Sequence, residues 1–132
     1  MTMKNSNIPE KYQTVMPYLI LNDASGFLSF MEKVFGAELI YKEMRNEKVI
    51  RHAEISVGES VIMFANATPE YTEQPGSFFI YVNNADETFG NALNSGASAL
   101  QEPSDQPYGR SGGVKDPFGN TWWMTSVPVK VS

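Results

Sequence analysis

Three groups of residues in this chain are of types and spacings that do chemistry. The first is His52 with Glu54 in "RHAEIS". Residues two apart on a strand share a face, so an imidazole and a carboxylate stand side by side. Such a pair can act as a general acid/base couple or give two donors to a metal, which is one short of the usual catalytic zinc set. The competing reading is a polar wall with no chemistry. The second group is Tyr108 and Arg110 in "QPYGRSGG". The planar guanidinium could grip a ligand carboxylate or phosphate, or pair with Asp105 or Asp116. The third is the chain's two tryptophans, adjacent in "GGVKDPFGNTWWMTS". Neighbours on a strand face opposite ways, so one of Trp122 and Trp123 enters the core and the other does not.

Composition removes several alternatives. His52 is the single histidine and there is no cysteine. Disulfides, thiol catalysis, thiolate metal sites and a His-rich cluster within one chain are therefore excluded. A chain without cysteine suits a reducing compartment, and the polar start "MTMKNSNIPEKYQ" lacks the apolar segment of a secretory signal. The expected location is the cytoplasm. No apolar run approaches the ~20 residues of a membrane span. The net charge of −5 disfavours nucleic acid and anionic membrane as partners.

The elements that must position these groups follow from period and punctuation. "TVMPYLILN", 14–22, reads as a strand. Asp23 is a helix cap, and Phe27, Leu28, Met31, Val34 and Phe35 recur at helical spacing, with Gly36 as C′ residue. Residues 37–67 read as three strands, turning at "RNE" and at Gly58-Glu59, a two-residue hairpin turn with Gly first. After a linker at 68–75 the order returns. "SFFIYVNN" is a strand, and 85–95 is a helix capped by Asn84 and followed by Gly96. "ASALQE" is a strand, then comes a Pro/Gly-rich loop, and "GGVKD" and "TWWMTSV" form a hairpin around "DPFGN". Asn22-Asp23-Ala24 matches Asn83-Asn84-Ala85 at an offset of 61, and "VIMFA" matches "TWWMT" at 60. The chain thus reads as two βαβββ modules, 13–67 and 76–128, in one domain, with a flexible N-terminus at 1–12 and a tail at 129–132.

Alternation assigns faces. Around Gly58-Glu59, Glu54 should oppose Met63 and His52 should oppose Ala65. One face then holds His52, Glu54, Ser56, Val61, Met63 and Ala65. The other is apolar and must pack on the helix. Pro17, Leu19 and Leu21 point to the core, as do Phe78, Ile80 and Val82. The repeat places Trp122 with Ile62 on the helix side and Trp123 with Met63 on the opposite side.

The doubled βαβββ unit, "VFGAE" and above all "SGGVKDPFGNTWWM" resemble the vicinal oxygen chelate superfamily, in its glyoxalase/bleomycin-resistance branch and PhnB-like group. The resemblance runs from about Met16 to Val127. It implies an α+β fold: two four-stranded curved mixed sheets around a concave cavity, helices on the convex side, and a homodimer. Met16, Tyr18, Met63, Phe79, Tyr81 and Trp123 then join His52 and Glu54 on the cavity side, with Tyr108 and Arg110 at the rim. Metal-using relatives place a ligand at the start of each half's first strand and on each half's last strand. Those positions match Met16, Met63, Ser77 and Trp123. Thioethers are soft and an indole offers no lone pair, so no metal and no other cofactor is expected at that site. The function expected is binding of a small apolar or aromatic molecule. The alternative is a small-molecule enzyme, a lyase, isomerase or dioxygenase-like protein, working through His52 and Glu54 or a non-standard metal site.

Overall fold

The computed structural model describes residues 7–128. The start of the segment read as a flexible N-terminus and the tail at 129–132 lie outside the described residues. The elements run β1 (Tyr18–Leu21), α1 (Ala24–Phe35), β2 (Glu38–Met44), β3 (Ile50–Val57) and β4 (Ser60–Asn66), then β5 (Ser77–Tyr81), α2 (Ala85–Asn94), β6 (Ser98–Gln106), β7 (Gly109–Lys115) and β8 (Thr121–Ser126). The βαβββ order occurs twice, as the spacing predicts. The chain divides into two compact units, one ending at Gln74, the other beginning at Pro75 and taking in Lys33–Phe35 of α1. Each has a four-stranded mixed sheet, in the orders β1-β4-β3-β2 and β5-β8-β7-β6. Among the described residues no helix is long and apolar enough to cross a membrane.

The local signals act as their chemistry requires. Asp23 caps α1 by accepting from Gly26 N at 2.9 Å, and Asn84 caps α2 by accepting from Glu87 N at 3.0 Å. Gly36 closes α1 with φ 67°, a conformation only glycine adopts freely. In the first unit Phe27 of α1 meets Phe64 of β4 edge-on at 5.0 Å. Leu19, Leu21, Ala53, Ile55, Ile62 and Phe64 are buried. In the second, Trp122 is 1% exposed, stacked on Phe78 at 4.5 Å and beside Phe35 at 4.9 Å.

The two sheets share one register. Tyr18 opposes Met63 across parallel β1 and β4, and Phe79 opposes Trp123 across parallel β5 and β8. These are the positions that the sequence offsets equate. The β3–β4 hairpin also has the expected pairing, Val57 with Ser60 and Glu54 with Met63.

Two expectations about elements need correction. The first strand is shorter than 14–22, because Pro17 has no N–H for the ladder and only its carbonyl takes part, accepting from Met63 N at 2.9 Å. Pro17 itself is only half-buried. The loop at "QPYGRSGG" is mostly strand: β6 runs on to Gln106 and β7 begins at Gly109. Irregularities in β6 between Ala99 and Gln101 and between Gln101 and Ser104 absorb Pro103. A third irregularity, where Glu43 pairs His52 and Met44 pairs Ile50, leaves Arg51 as the extra residue. It lets Ile50 be buried although strict alternation would put it on the face of His52.

Gly113 is a steric necessity. A Cβ there would run into Cζ3 and Cε3 of the Trp123 ring, which packs against Gly113. Gly113→Ala is therefore expected to destabilise by roughly 2–3 kcal/mol through overpacking, read as a lower denaturation midpoint. Gly90 in α2 has nothing near its missing Cβ. Gly90→Ala should stabilise by about 0.5–1 kcal/mol. Equal effects at the two positions would show that Trp123 does not press on β7.

Candidate functional site

Each unit carries one row of side chains across all four strands, on the face opposite its core. In the first unit the row is Tyr18, Met63, Glu54 and Tyr41, from β1, β4, β3 and β2. His52 flanks it, opposite Glu43. The second unit's row is Phe79, Trp123, Gly113 and Gln101. Register is conserved between the rows but chemistry is not: Gly113 stands where the first unit has Glu54.

In the first unit the polar groups form a closed chain of hydrogen bonds. Tyr12 Oη donates to Glu54 Oε1 at 2.6 Å. Glu54 Oε2 lies 2.9 Å from His52 Nε2, and His52 Nδ1 lies 3.1 Å from Tyr18 Oη. Glu54 is only 5% exposed. Its burial pushes the carboxyl pKa up, but the bonds from Tyr12 and His52 and the nearby positive charge outweigh that and leave it below the ordinary range. An ionised carboxylate only accepts, so Nε2 carries a proton toward Glu54. In the neutral ring Nδ1 is then an acceptor, and it is filled by the Tyr18 hydroxyl. The structure does place His52 and Glu54 together. Both imidazole nitrogens are engaged, and the group that faces outward is Tyr18, 49% exposed.

Tyr12 was not legible as part of this site. It belongs to the stretch read as a flexible N-terminus and lies 42 residues from Glu54 in sequence. Gln13 beside it docks on Val61, donating to the carbonyl at 2.9 Å and accepting from the N–H at 3.2 Å. Tyr41 could have been found, since alternation along β2 assigns it a face.

In the second unit Trp122 is core and Trp123 is half-buried on the opposite face. Phe79 and Tyr81, 51% and 69% exposed, meet edge-on at 5.4 Å, and Tyr108 lies 6.0 Å from Phe79. Arg110 is paired with two carboxylates. Its Nε and Nη2 bind Asp86 at 2.6 and 3.0 Å, and Nη1 binds Asp105 at 3.2 Å. The Asp105 pairing was anticipated and the Asp86 one was not. The hydrogen bonds to Asp86 and Asp105 hold the guanidinium pKa above its usual value, and Arg110 holds the Asp86 carboxyl below its own. Tyr108 and Arg110 line a surface cleft of about 520 Å³ with Asn83 and Val127. Asp116 does not pair with Arg110 but stays buried inside its own turn. There Oδ1 accepts from Phe118 N and Asn120 N, and Oδ2 from Asn120 Nδ2 and Trp122 Nε1, at 2.8–2.9 Å.

The four positions equated with metal ligands do not fit a hard or borderline divalent ion. Met63 offers a thioether, Trp123 lies on Gly113, Met16 precedes β1, and Ser77 is an exposed hydroxyl at the edge of its strand. Among the described residues no group of three or more His, Asp or Glu side chains is arranged to hold a metal ion.

Comparison with known proteins accords with this geometry. A family model described as Glyoxalase/Bleomycin resistance protein/Dioxygenase superfamily matches residues 13–124. An uncharacterized protein of Mycobacterium bovis is 27% identical over 126 residues, covering 86% of this chain and 82% of the relative. The solved PhnB protein from Bacillus cereus superposes with a TM-score of 0.71 at 17% identity, covering 87% of this chain and 100% of that one. TnmS3, an antibiotic binding protein from Streptomyces sp. CB03234, superposes with a TM-score of 0.67 at 13% identity, covering 89% and 100%.

The lowered Glu54 pKa sets a stability signature. A carboxyl depressed in the folded state contributes stability above its unfolded pKa and loses it as pH falls through the folded value. Wild type should exceed Glu54→Gln by about 1–3 kcal/mol at neutral pH, the worth of charge-assisted hydrogen bonds at a buried site. The gap should close as pH drops below the ordinary glutamate range, measured by urea unfolding at a series of pH values. A gap that widens in acid would contradict the ionised state.

Proposed function

The chain belongs to the Glyoxalase/Bleomycin resistance protein/Dioxygenase superfamily, and we propose that it binds a small, planar, largely apolar molecule without the metal its metal-using relatives employ. The observation that carries this reading is the exposure of large aromatic side chains on the face opposite each core. Tyr18, Tyr41, Phe79 and Tyr81 are each between 46% and 69% exposed. Strand neighbours such as Leu19 and Ile55 are buried. Exposed aromatics grouped on a sheet face mark an interaction surface, and flat rings with a few polar groups suit a planar ligand. Met16, Met63 and Trp123 add polarizable and aromatic surface. That a protein of the same fold is described as antibiotic binding supports this kind of ligand.

Binding is favoured over acid/base catalysis by the state of His52. A general base needs a free lone pair within reach of the substrate, and both its nitrogens are hydrogen-bonded within the unit. Tyr108 and Arg110 take a peripheral place in the proposal, because Arg110 is already neutralised by two carboxylates. A homodimer is part of the same proposal, since the exposed Phe79 and Tyr81 surface also suits a second copy. Sedimentation equilibrium should give twice the chain mass.

Tryptophan fluorescence tests the central claim. Planar aromatic compounds should quench or shift the emission saturably, and Trp123→Phe should remove most of the change, leaving the buried Trp122. Phe79→Ala should weaken binding by roughly three- to tenfold, the worth of one aromatic contact. Silence across a broad panel would sink the binding reading. Elemental analysis of chelator-free protein should find well under one transition metal per chain. A stoichiometric metal would overturn the metal-free part.

A further inference from the structure

The hydrogen bonds of the first unit have a common direction. Tyr12 gives its phenol proton to Glu54 at 2.6 Å, and Tyr41 gives its proton to Glu43 at 3.0 Å. With Nε2–H of the neutral imidazole turned to Glu54, Tyr18 gives its proton to His52 Nδ1 at 3.1 Å. All three tyrosine protons around this row are therefore committed to partners within the unit. What these three phenols leave toward solvent is oxygen lone pairs and ring faces, and beside them stands the half-exposed Glu43 carboxylate, 3.6 Å from Arg51. The raised Tyr12 and Tyr41 pKa values, each caused first by the hydrogen bond to its carboxylate, agree that these protons are held.

From this we infer that the outward Tyr18 oxygen acts as a hydrogen-bond acceptor only, and that it selects planar molecules that bring an O–H or N–H donor to the ring edge. The inference rests on the planar-ligand reading above and adds the polarity of the ligand. A ligand with only acceptors at that edge would face phenol lone pairs with no proton between them, and would lose its water hydrogen bond without replacement. Tyr18 suits the role because it is half-exposed while His52 behind it is held by a buried carboxylate. Its oxygen is therefore oriented before any ligand arrives.

Two neutral probes of nearly the same shape test this, 2-naphthol and 2-methoxynaphthalene, which differ by a methyl cap on the donor. With wild-type protein, 2-naphthol should bind about five- to tenfold more tightly, the worth of one hydrogen bond. Tyr18→Phe should bring the two affinities together while keeping 2-methoxynaphthalene binding. Equal affinities in wild type, or a preference for the methyl ether, would overturn the donor rule and leave the planar-ligand reading standing. Failure of both probes to bind would overturn that reading and this inference with it. Independently of any ligand, imidazole ¹⁵N shifts should report the proton on His52 Nε2. A proton on Nδ1 would reverse the Tyr18 bond and refute the inference.

Discussion

The buried carboxylate of Asp116 is the interaction on which the second unit is built. A carboxyl group 4% exposed is tolerated only when its oxygen lone pairs are filled, and four donors fill them. Two of these donors close the "DPFGN" turn. The third is the Asn120 amide, whose own Oδ1 accepts from Gly76 N at 2.8 Å and so ties the turn to the start of β5. The fourth is the Trp122 indole. One carboxylate thus closes the hairpin, sets where β8 begins and holds the largest core side chain by its only polar atom. With Trp122 held inward, the geometry of a strand sends Trp123 to the other face, and Gly113, lacking a Cβ, leaves the space its ring occupies.

The first unit solves the same problem with different parts. Its buried carboxylate, Glu54, sits on the face opposite the core. Its donors are a phenol from outside the sheet and an imidazole two residues away. Among the described residues no buried side-chain polar atom is left without a partner, so both carboxylates are accommodated at full satisfaction. The consequence differs. Asp116 is sealed inside structure, whereas Glu54 orients groups that reach the surface through His52 and Tyr18. The two modules therefore share a register and divide the labour: one presents a polar tyrosine face, the other an apolar one of Phe79, Tyr81 and Trp123.

The chemistry that the types of His52, Glu54 and Arg110 advertise is altered by what surrounds them. The imidazole has no nitrogen to offer, and the guanidinium is bound by two aspartates. Tyr18, which has no special standing as a residue type, is what faces outward. The superfamily's four ligand positions carry donors that do not suit its metals. On the proposed reading, these groups serve recognition by shape and hydrogen-bond polarity.

Much of the fold was legible in the sequence because its causes are local. Caps at Asp23 and Asn84, the αL glycine at 36, the Gly58-Glu59 turn and the Asp116 turn are each decided within a few residues. Alternation then assigns Trp122, Ile62 and Glu54 to their faces with no knowledge of distant chain. The repeat was readable because both halves obey the same punctuation. Only the tertiary structure could decide the pairings across long separations: Tyr12 with Glu54, Tyr18 with both Met63 and His52, Arg110 with Asp86. Only it could show that β6 continues through Pro103, since the irregularities that absorb a proline depend on the facing strand. The direction of the hydrogen-bond chain at His52 was equally out of reach, because a proton's position depends on every partner at once and those partners come from three separate segments of the chain.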